Sequence, residues 1–437
     1  MRAFMQLSHY LKAWSCSETP GYHLLFSTKK ASLALVPDEI WNQLVQGEVP
    51  SEYRDQLPEL DMLVPDRKQE QQEIFGFLDE VNRLNDGLDI AIIPGLDCNF
   101  NCTYCYEGSM KGKHAMSDET ADQLIAYVKS RFGPAKKKLT LDFYGGDPLL
   151  YTKRIKYIAR QLKFYVEERG GAFRFSLVTN GSLLTSKVVD ELLPLGLHGA
   201  KITVDGPEAV HDRCRPFVSG KGSFDIIMRN VKKCCDRVRI GIGGNFTRDN
   251  YKEFPSLLDY FEDNGLIPER LGNVQFLPAG QTMDGYANPE FTSGCVSCSE
   301  PWMAEATLVL REEIMKRGYK TPKMGHSVCM VDIDDSMVIH FDGCIFKCVA
   351  MIGHPQFAVG DIWHGLDDHR QIYEPDSWRN NAECRECVYL PLCFGGCRYM
   401  EYQRSGSMKQ VDCWCDFFDA VLEGTVLQDV RYRYKPA

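Results

Sequence analysis

The chain has 437 residues and 44% hydrophobic content, too long for one small core, so two or three domains are expected. With 60 acidic against 50 basic residues the formal charge is -10, which argues against a phosphate-tracking protein and so against nucleic acid as a partner. No apolar run of about 18 residues is present and the start MRAFMQLSHYLKAW lacks a secretory core, so a cytoplasmic chain without a membrane partner is expected. In that reducing compartment clustered cysteines, among 18 in all, bind metal or carry redox chemistry more often than they form disulfides.

Residues 1–86 read as a separate small α+β unit: YHLLFSTKKASLALV, Tyr22 to Val36, predicts a hairpin, Pro37 to Leu44 a short helix, and Asp66 to Leu84 a charged linking helix. From Leu88 short apolar strands alternate with amphipathic helices, the pattern of a parallel sheet built from strand-helix-strand units. The strands are Asp89–Ile93, Lys138–Tyr144, Phe173–Thr179, Ala200–Val204, Arg239–Gly243 and Val274–Leu277. Helices are expected at Asp118–Phe132, Tyr151–Glu168, Ser186–Leu193, Phe224–Cys235 and Tyr251–Asp263, the first capped by Ser117 and stopped by Gly133-Pro134. Six units fall short of a closed eight-unit barrel, so the expectation is an α/β fold with a partial, open-sided (β/α)6 TIM-like barrel over residues 87–300. Residues 301–437 begin with a bridging helix near Met303 to Lys316 and continue rich in Cys, Gly and Trp and poor in long periodic segments, as a cofactor-organised domain would be.

GLDCNFNCTYCYEG, Gly95 to Gly108, follows the first barrel strand and spaces Cys98, Cys102 and Cys105 as Cys-x3-Cys-x2-Cys. Three thiolates are one short of the four that close a structural zinc or iron-sulfur site. GGDP (Gly145 to Pro148), TNGS (Thr179 to Ser182), TVDG (Thr203 to Gly206), GGN (Gly243 to Asn245) and LPAG (Leu277 to Gly280) end the later strands, which places all six segments on one rim of the barrel. Working groups gather there in parallel barrels because loop variation leaves the packed core undisturbed. Each turn alone is ordinary, and a cysteine triple alone also fits part of a zinc site.

The cysteine spacing, Tyr104 before the third cysteine and the Gly-Gly-acid turn together resemble the radical S-adenosylmethionine superfamily. As the resemblance implies, Cys98, Cys102 and Cys105 hold three irons of a 4Fe-4S cluster whose fourth iron takes the amino and carboxylate groups of S-adenosylmethionine. Gly145 and Gly146 would then meet the methionine amino group, beside Asp147 where the family usually has a Glu. Tyr104 would lie against adenine, with Asn180 and Thr203 candidates for ribose and carboxylate and Asp205 beside them. Arg213 and Arg215, in HDRCRPFVSGKGSFD, read equally as cofactor or substrate contacts and as a solvated basic loop.

The tail reads Cys329-x13-Gly343-x4-Cys348, then Cys384-x2-Cys387-x5-Cys393-x3-Cys397, then Cys413 and Cys415. It resembles the SPASM extension of radical enzymes that act on peptides and proteins, which implies two auxiliary 4Fe-4S clusters; a zinc ribbon is the competing reading. In that resemblance Cys384, Cys387, Cys393 and one of Cys413 or Cys415 hold the outer cluster, and Cys329, Cys348 and Cys397 the inner one. Its eighth ligand is Cys344, Cys295 or Cys298, or stays open for a substrate thiolate. Cys16, Cys214, Cys234 and Cys235 fit neither motif and read as buried apolar residues.

The implied enzyme cleaves S-adenosylmethionine to methionine and a 5'-deoxyadenosyl radical and modifies a ribosomally made precursor peptide, most simply by an intramolecular thioether, drawing electrons from a donor such as flavodoxin or ferredoxin. Sulfatase maturases, the alternative, carry an Asp directly after the second SPASM cysteine, and here Cys348 is followed by Val349. The amino-terminal unit resembles leader-binding domains of peptide maturases of the geopeptide type; capping the open side of the barrel is the other expectation.

Overall fold

The computed structural model describes residues 5–112, 114–281 and 290–434. Its amino-terminal unit is a three-stranded antiparallel sheet of β1 (Leu11–Ser15), β2 (Tyr22–Ser27) and β3 (Ser32–Pro37), followed by α1 (Asp38–Val45) and α2 (Arg67–Leu84). The hairpin falls where the alternation places it, Tyr22 facing Pro37 and Ser27 facing Ser32. Strand β1, on the other side of β2, adds to the expected hairpin. Asp66 caps α2 by accepting from the Lys68 amide at 2.8 Å.

The barrel strands are β4 (Gly87–Ile92), β5 (Lys138–Phe143), β6 (Ala172–Thr179), β7 (Leu197–Thr203), β8 (Arg239–Phe246) and β9 (Asn273–Pro278), parallel and paired in chain order. Between them run α3 (Asp118–Arg131), α4 (Thr152–Glu168), α5 (Ser186–Leu192), α6 (Glu208–Cys214), α7 (Phe224–Cys234) and α8 (Pro255–Asp263). Ile90, Leu141, Phe175, Ile202 and Ile242 are buried from successive strands, each contributing roughly 1.5–3 kcal/mol of transfer free energy. The helix expected over Tyr251–Asp263 is divided: a single 3-10 turn, Tyr251–Glu253, precedes α8, which starts at Pro255 because proline suits a first helical position and not an interior one.

Two differences from the sequence expectation bear on the site. The sheet does not stop at six strands, because β10 (Ser336–Ile339), beyond the bridging helix α9 (Pro301–Lys316), pairs in parallel with β4, and β11 (Ile345–Phe346) pairs antiparallel with β10. The segment carrying Cys348 is thereby stitched to the strand that precedes Cys98. Nor does the tail lack a long element: α10 (Cys415–Arg433) packs along α9, with Arg311 donating to Asp429 at 2.6 Å and to Gln428 at 3.0 Å.

The amino-terminal unit is not separate. Cys16, Leu24 and Phe26 share a core with Tyr389, Leu392, Phe418, Leu422 and Val426, while Tyr10, Ile74 and Leu78 share another with Trp378, Leu390 and Phe394. Arg431 also pairs with Glu18. The unit therefore sits on the cysteine-rich region. Among the described residues no helix is long and apolar enough to cross a membrane.

Candidate active site

The cysteine loop after β4 is held by the loop that follows α6. Phe100, fully buried, meets Phe217 edge-on at 4.8 Å, and the amides of Asn101 and Thr103 donate to the carbonyls of Pro216 and Cys214 at 2.8 and 2.9 Å. So anchored, Cys98, Cys102 and Cys105 line one cavity of about 300 Å³ together with Tyr104, Glu107, Lys111, Gly145, Gly146, Asn180, Thr203, Arg215 and Asn245. All three cysteines are free. Burial pushes the Cys98 thiol up to about 11 and that of Cys105 to about 12, with Lys111 among the thiols opposing the rise. Buried thiols of this kind become thiolates when a bound cation compensates them, and a soft all-sulfur set suits iron-sulfur chemistry. The donor set therefore fits a cluster held by three thiolates.

Gly145 and Gly146, with φ of +85° and +50°, form the opposite wall. A Cβ on Gly146 would lie 2.2 Å from the Asp97 carbonyl oxygen, so this position admits only glycine where the turn passes the cysteine loop. Asp147 does not reach the cavity as expected. Fully buried, it accepts from Thr179 Oγ1 at 2.8 Å and from the amides of Asn180 and Leu149 at 3.0 and 2.9 Å, and so ties the end of β5 to that of β6. Its place on the wall is taken by Glu107, whose Oε2 accepts from the Gly146 amide at 2.8 Å.

Tyr104 is held by its hydroxyl, which donates to Asp205 and accepts from Arg215 Nη1 at 2.5 Å and Asn245 Nδ2 at 3.0 Å. Asp205 is likewise a support: it is fully buried, accepts from the Asn245 amide at 2.7 Å, and lies behind the wall that Thr203 and Arg215 form. Asn180 donates to Asn99 at 2.8 Å and approaches the Cys98 sulfur at 3.9 Å. Of the two arginines, Arg215 is buried on the cavity and Arg213 is exposed. Sequence reasoning passed over Glu107, Lys111 and Tyr144; the only linear signal for the first two was closeness to Cys105.

The radical SAM superfamily profile matches residues 92–261, from the end of β4 to α8. The serine-type anaerobic sulfatase-maturating enzyme of Bacteroides thetaiotaomicron is 30% identical over 348 residues, covering 71% of this chain and 82% of that protein. The chain belongs to the radical SAM superfamily. Among solved structures, native anSMEcpe with bound AdoMet and Cp18Cys peptide superposes with a TM-score of 0.63 at 17% identity, covering 78% of this chain and 98% of that one. Streptococcus suis SuiB bound to precursor peptide SuiA gives 0.55 at 13% identity, covering 94% and 99%. Both show the same fold. Membership makes this radical SAM protein an enzyme and implies a 4Fe-4S cluster and S-adenosylmethionine as its cofactors.

Elsewhere in this radical SAM chain the tail cysteines form two groups. Cys384, Cys387, Cys393, Cys413 and Cys415 surround one small cavity, with the sulfurs of Cys387 and Cys415 3.4 Å apart. Burial pushes Cys384 and Cys393 up to about 12. Cys329, Cys348 and Cys397 are close enough to act on one another electrostatically, and burial raises all three, Cys329 to about 11. Cys344 does not join them. It lies in the turn between β10 and β11, where its amide is bound to Asp342 and its charged neighbours are Asp342 and Asp361. Cys295 and Cys298 line a second cavity of about 600 Å³, shared with Cys397 and adjoining the first along Pro278, Gly280 and Tyr399. Cys16, Cys234 and Cys235 are buried as expected, and Cys214 is half-buried.

Proposed function

We propose that the protein is a radical SAM peptide maturase that joins a cysteine sulfur, or another side-chain atom, to a carbon of a ribosomally made precursor peptide. In this reading Cys98, Cys102 and Cys105 hold the first cluster, and the two tail groups hold auxiliary clusters: Cys384, Cys387, Cys393 and Cys413 or Cys415 for one, and Cys329, Cys348 and Cys397 for the other. When bound, the cluster and S-adenosylmethionine supply a carbon radical able to remove hydrogen from an unactivated carbon. The chain's own residues orient and exclude water. Tyr104, fixed through its hydroxyl, keeps one ring position, Gly145 and Gly146 allow close backbone approach, and Arg215 places a permanent cation on the wall.

The observation that carries the choice of substrate is the residue after Cys348. Val349 has no carboxylate, and its carbonyl faces the Tyr106 hydroxyl at 3.4 Å, so the acid by which formylglycine-forming relatives are recognised is absent from that place. The fold match to SuiB, which covers the amino-terminal unit as well, supports the same reading. In it the free edge of β3 offers backbone groups to which a leader peptide adds as a strand. Formylglycine formation on a protein Cys or Ser is the second reading, favoured by the 30% identity to a sulfatase-maturating enzyme.

The test is anaerobic reconstitution with dithionite, S-adenosylmethionine and any short Cys-containing peptide that a neighbouring reading frame encodes. The peptide should lose a pair of hydrogens for each cross-link while 5'-deoxyadenosine is released. Conversion of a sulfatase peptide to the aldehyde, with the neighbouring peptide untouched, would replace this reading with the second.

A further inference from the structure

The turn that joins the two tail groups is built around one side chain. Cys393, of one group, and Cys397, of the other, are separated by Phe394, Gly395 and Gly396, all three left-handed, with φ of +42°, +84° and +75°. Such a run is uncommon, above all with a phenylalanine in it. It brings three successive carbonyls onto the guanidinium of Arg398: Nη1 donates to Gly395 at 3.0 Å and Gly396 at 3.4 Å, and Nη2 to Phe394 at 3.3 Å. Nη2 also donates to the Pro375 carbonyl at 2.8 Å. Arg398 is 3% exposed, and its Nε is buried with no hydrogen-bond partner. Among the described residues no carboxylate forms an ion pair with it; buried Asp332 feels the charge without closing a contact. Arg215 and Arg311, by contrast, face Asp205 and Asp429. A buried cation that meets only neutral carbonyls is costly unless anions stand close by. The groups that stand close are thiols of both sets. Burial raises Cys329 to about 11, Cys384 to about 12 and Cys397 as well, and Arg398 is among the charges opposing the rise in all three.

We propose that Arg398 is the shared counter-cation of the two clusters assigned to the tail, a fixed charge between them that favours the reduced state of both. The inference rests on the reading of those cysteines as two iron-sulfur sites. A cluster gains one negative charge on reduction, so a nearby cation and hydrogen bonds to its sulfurs both raise its potential. The idle Nε–H is free to supply such a bond. Arginine suits the place because it stays charged when buried and its planar fork holds several carbonyls at once.

The experiment is a potentiometric titration read by electron paramagnetic resonance, with iron and sulfide counted in parallel. It uses the full chain, reconstituted anaerobically and carrying Cys98→Ala, Cys102→Ala and Cys105→Ala, so that only tail iron is observed. Arg398→Gln removes the charge, and Arg398→Lys keeps it while losing the fork. In Arg398→Gln both signals should become harder to reduce, the ratio of reduced to oxidised cluster falling about tenfold at a given potential, or about 59 mV for one electron. Arg398→Lys should stay close to the parent on both. A shift of one signal alone, or equal shifts in Arg398→Gln and Arg398→Lys, overturns the assignment, as does an iron-loaded Arg398→Gln that titrates as the parent does. If Arg398→Gln does not take up iron, Arg398→His replaces it, with a charge present near about pH 5.5 and absent near about pH 8. Both of its signals should then move to lower potential with rising pH by more than the parent's, and a response equal to the parent's overturns the assignment. A parent that takes up no iron overturns the cluster reading of the tail and this inference with it, while 5'-deoxyadenosine release by the unsubstituted enzyme tests the first site separately.

Discussion

Gly146→Ala should disable the first site while leaving the rest of the molecule folded. The new Cβ would meet the Asp97 oxygen at 2.2 Å and the Leu96 and Asp97 carbonyl carbons at 2.7 and 2.8 Å, all backbone atoms, where ordinary contacts are about 3.5 Å or more. Relief requires Asp97 to retreat by roughly 1 Å, and Cys98 is the next residue. Left-handed backbone at alanine costs about 1–2 kcal/mol and overpacking about 1–3 kcal/mol more, together about 2–5 kcal/mol concentrated where the cysteine loop passes the turn. Gly170→Ala is the matched control: its φ is +75° but no atom lies within 4 Å of the new Cβ, so only the backbone term of about 1–2 kcal/mol applies. The assay is electron paramagnetic resonance of the reduced, reconstituted proteins with and without S-adenosylmethionine, with circular dichroism to verify the fold. Gly146→Ala should lose the signal that responds to the cofactor, and Gly170→Ala should keep it. A Gly146→Ala protein with the full responsive signal would refute the claim that this close backbone approach sets the position of Cys98.

Cys102→Ala should abolish 5'-deoxyadenosine release, measured chromatographically, while visible absorption from the clusters proposed for the tail persists. Tyr104→Phe removes the hydroxyl that joins Asp205, Arg215 and Asn245, and should weaken cofactor binding by about tenfold, read by titration, since hydrogen bonds to charged groups contribute about 1.5–3 kcal/mol. Arg311→Ala leaves the buried Asp429 to Arg433 alone and should lower stability by about 1–3 kcal/mol, seen as a lower thermal midpoint and faster proteolysis within α10. Deleting the unit that ends near residue 86 uncovers Leu392, Phe418, Leu422 and Val426, and should give aggregated protein rather than a trimmed enzyme, as size-exclusion chromatography would report.

The six barrel strands were readable because each is a short apolar run between helices whose apolar faces repeat, with caps such as Ser117 marking where a helix begins. Strand β10 escaped because Ser336–Ile339 is four residues long and nothing local shows that a segment so late in the chain pairs with β4. Helix α10 escaped for a different reason: its buried face carries Thr425, Gln428 and Asp429 among Phe418, Val421, Leu422 and Val426, so polar residues interrupt the apolar stripe. Within the site, cysteine spacing and rim position identified the residues that gather, including Gly145, Asn180 and Thr203. They did not say which acid faces inward. Glu107 takes the place expected of Asp147, because the shorter Asp147 side chain reaches the end of β6 while the longer one spans from the cysteine loop to Gly146.

The shared core of β2 and α10 also governs the order of events at birth. Leu24 and Phe26 emerge from the ribosome first and find Phe418 and Val426 only after the entire barrel has been translated, a delay on the order of tens of seconds. Until then the amino-terminal sheet has a bare apolar face, and the group of Cys384, Cys387 and Cys393, which borders that same core, lacks Cys413 and Cys415. Any cluster held by that group, as proposed above, can therefore be completed only after the residues of α10's amino-terminal end have been made.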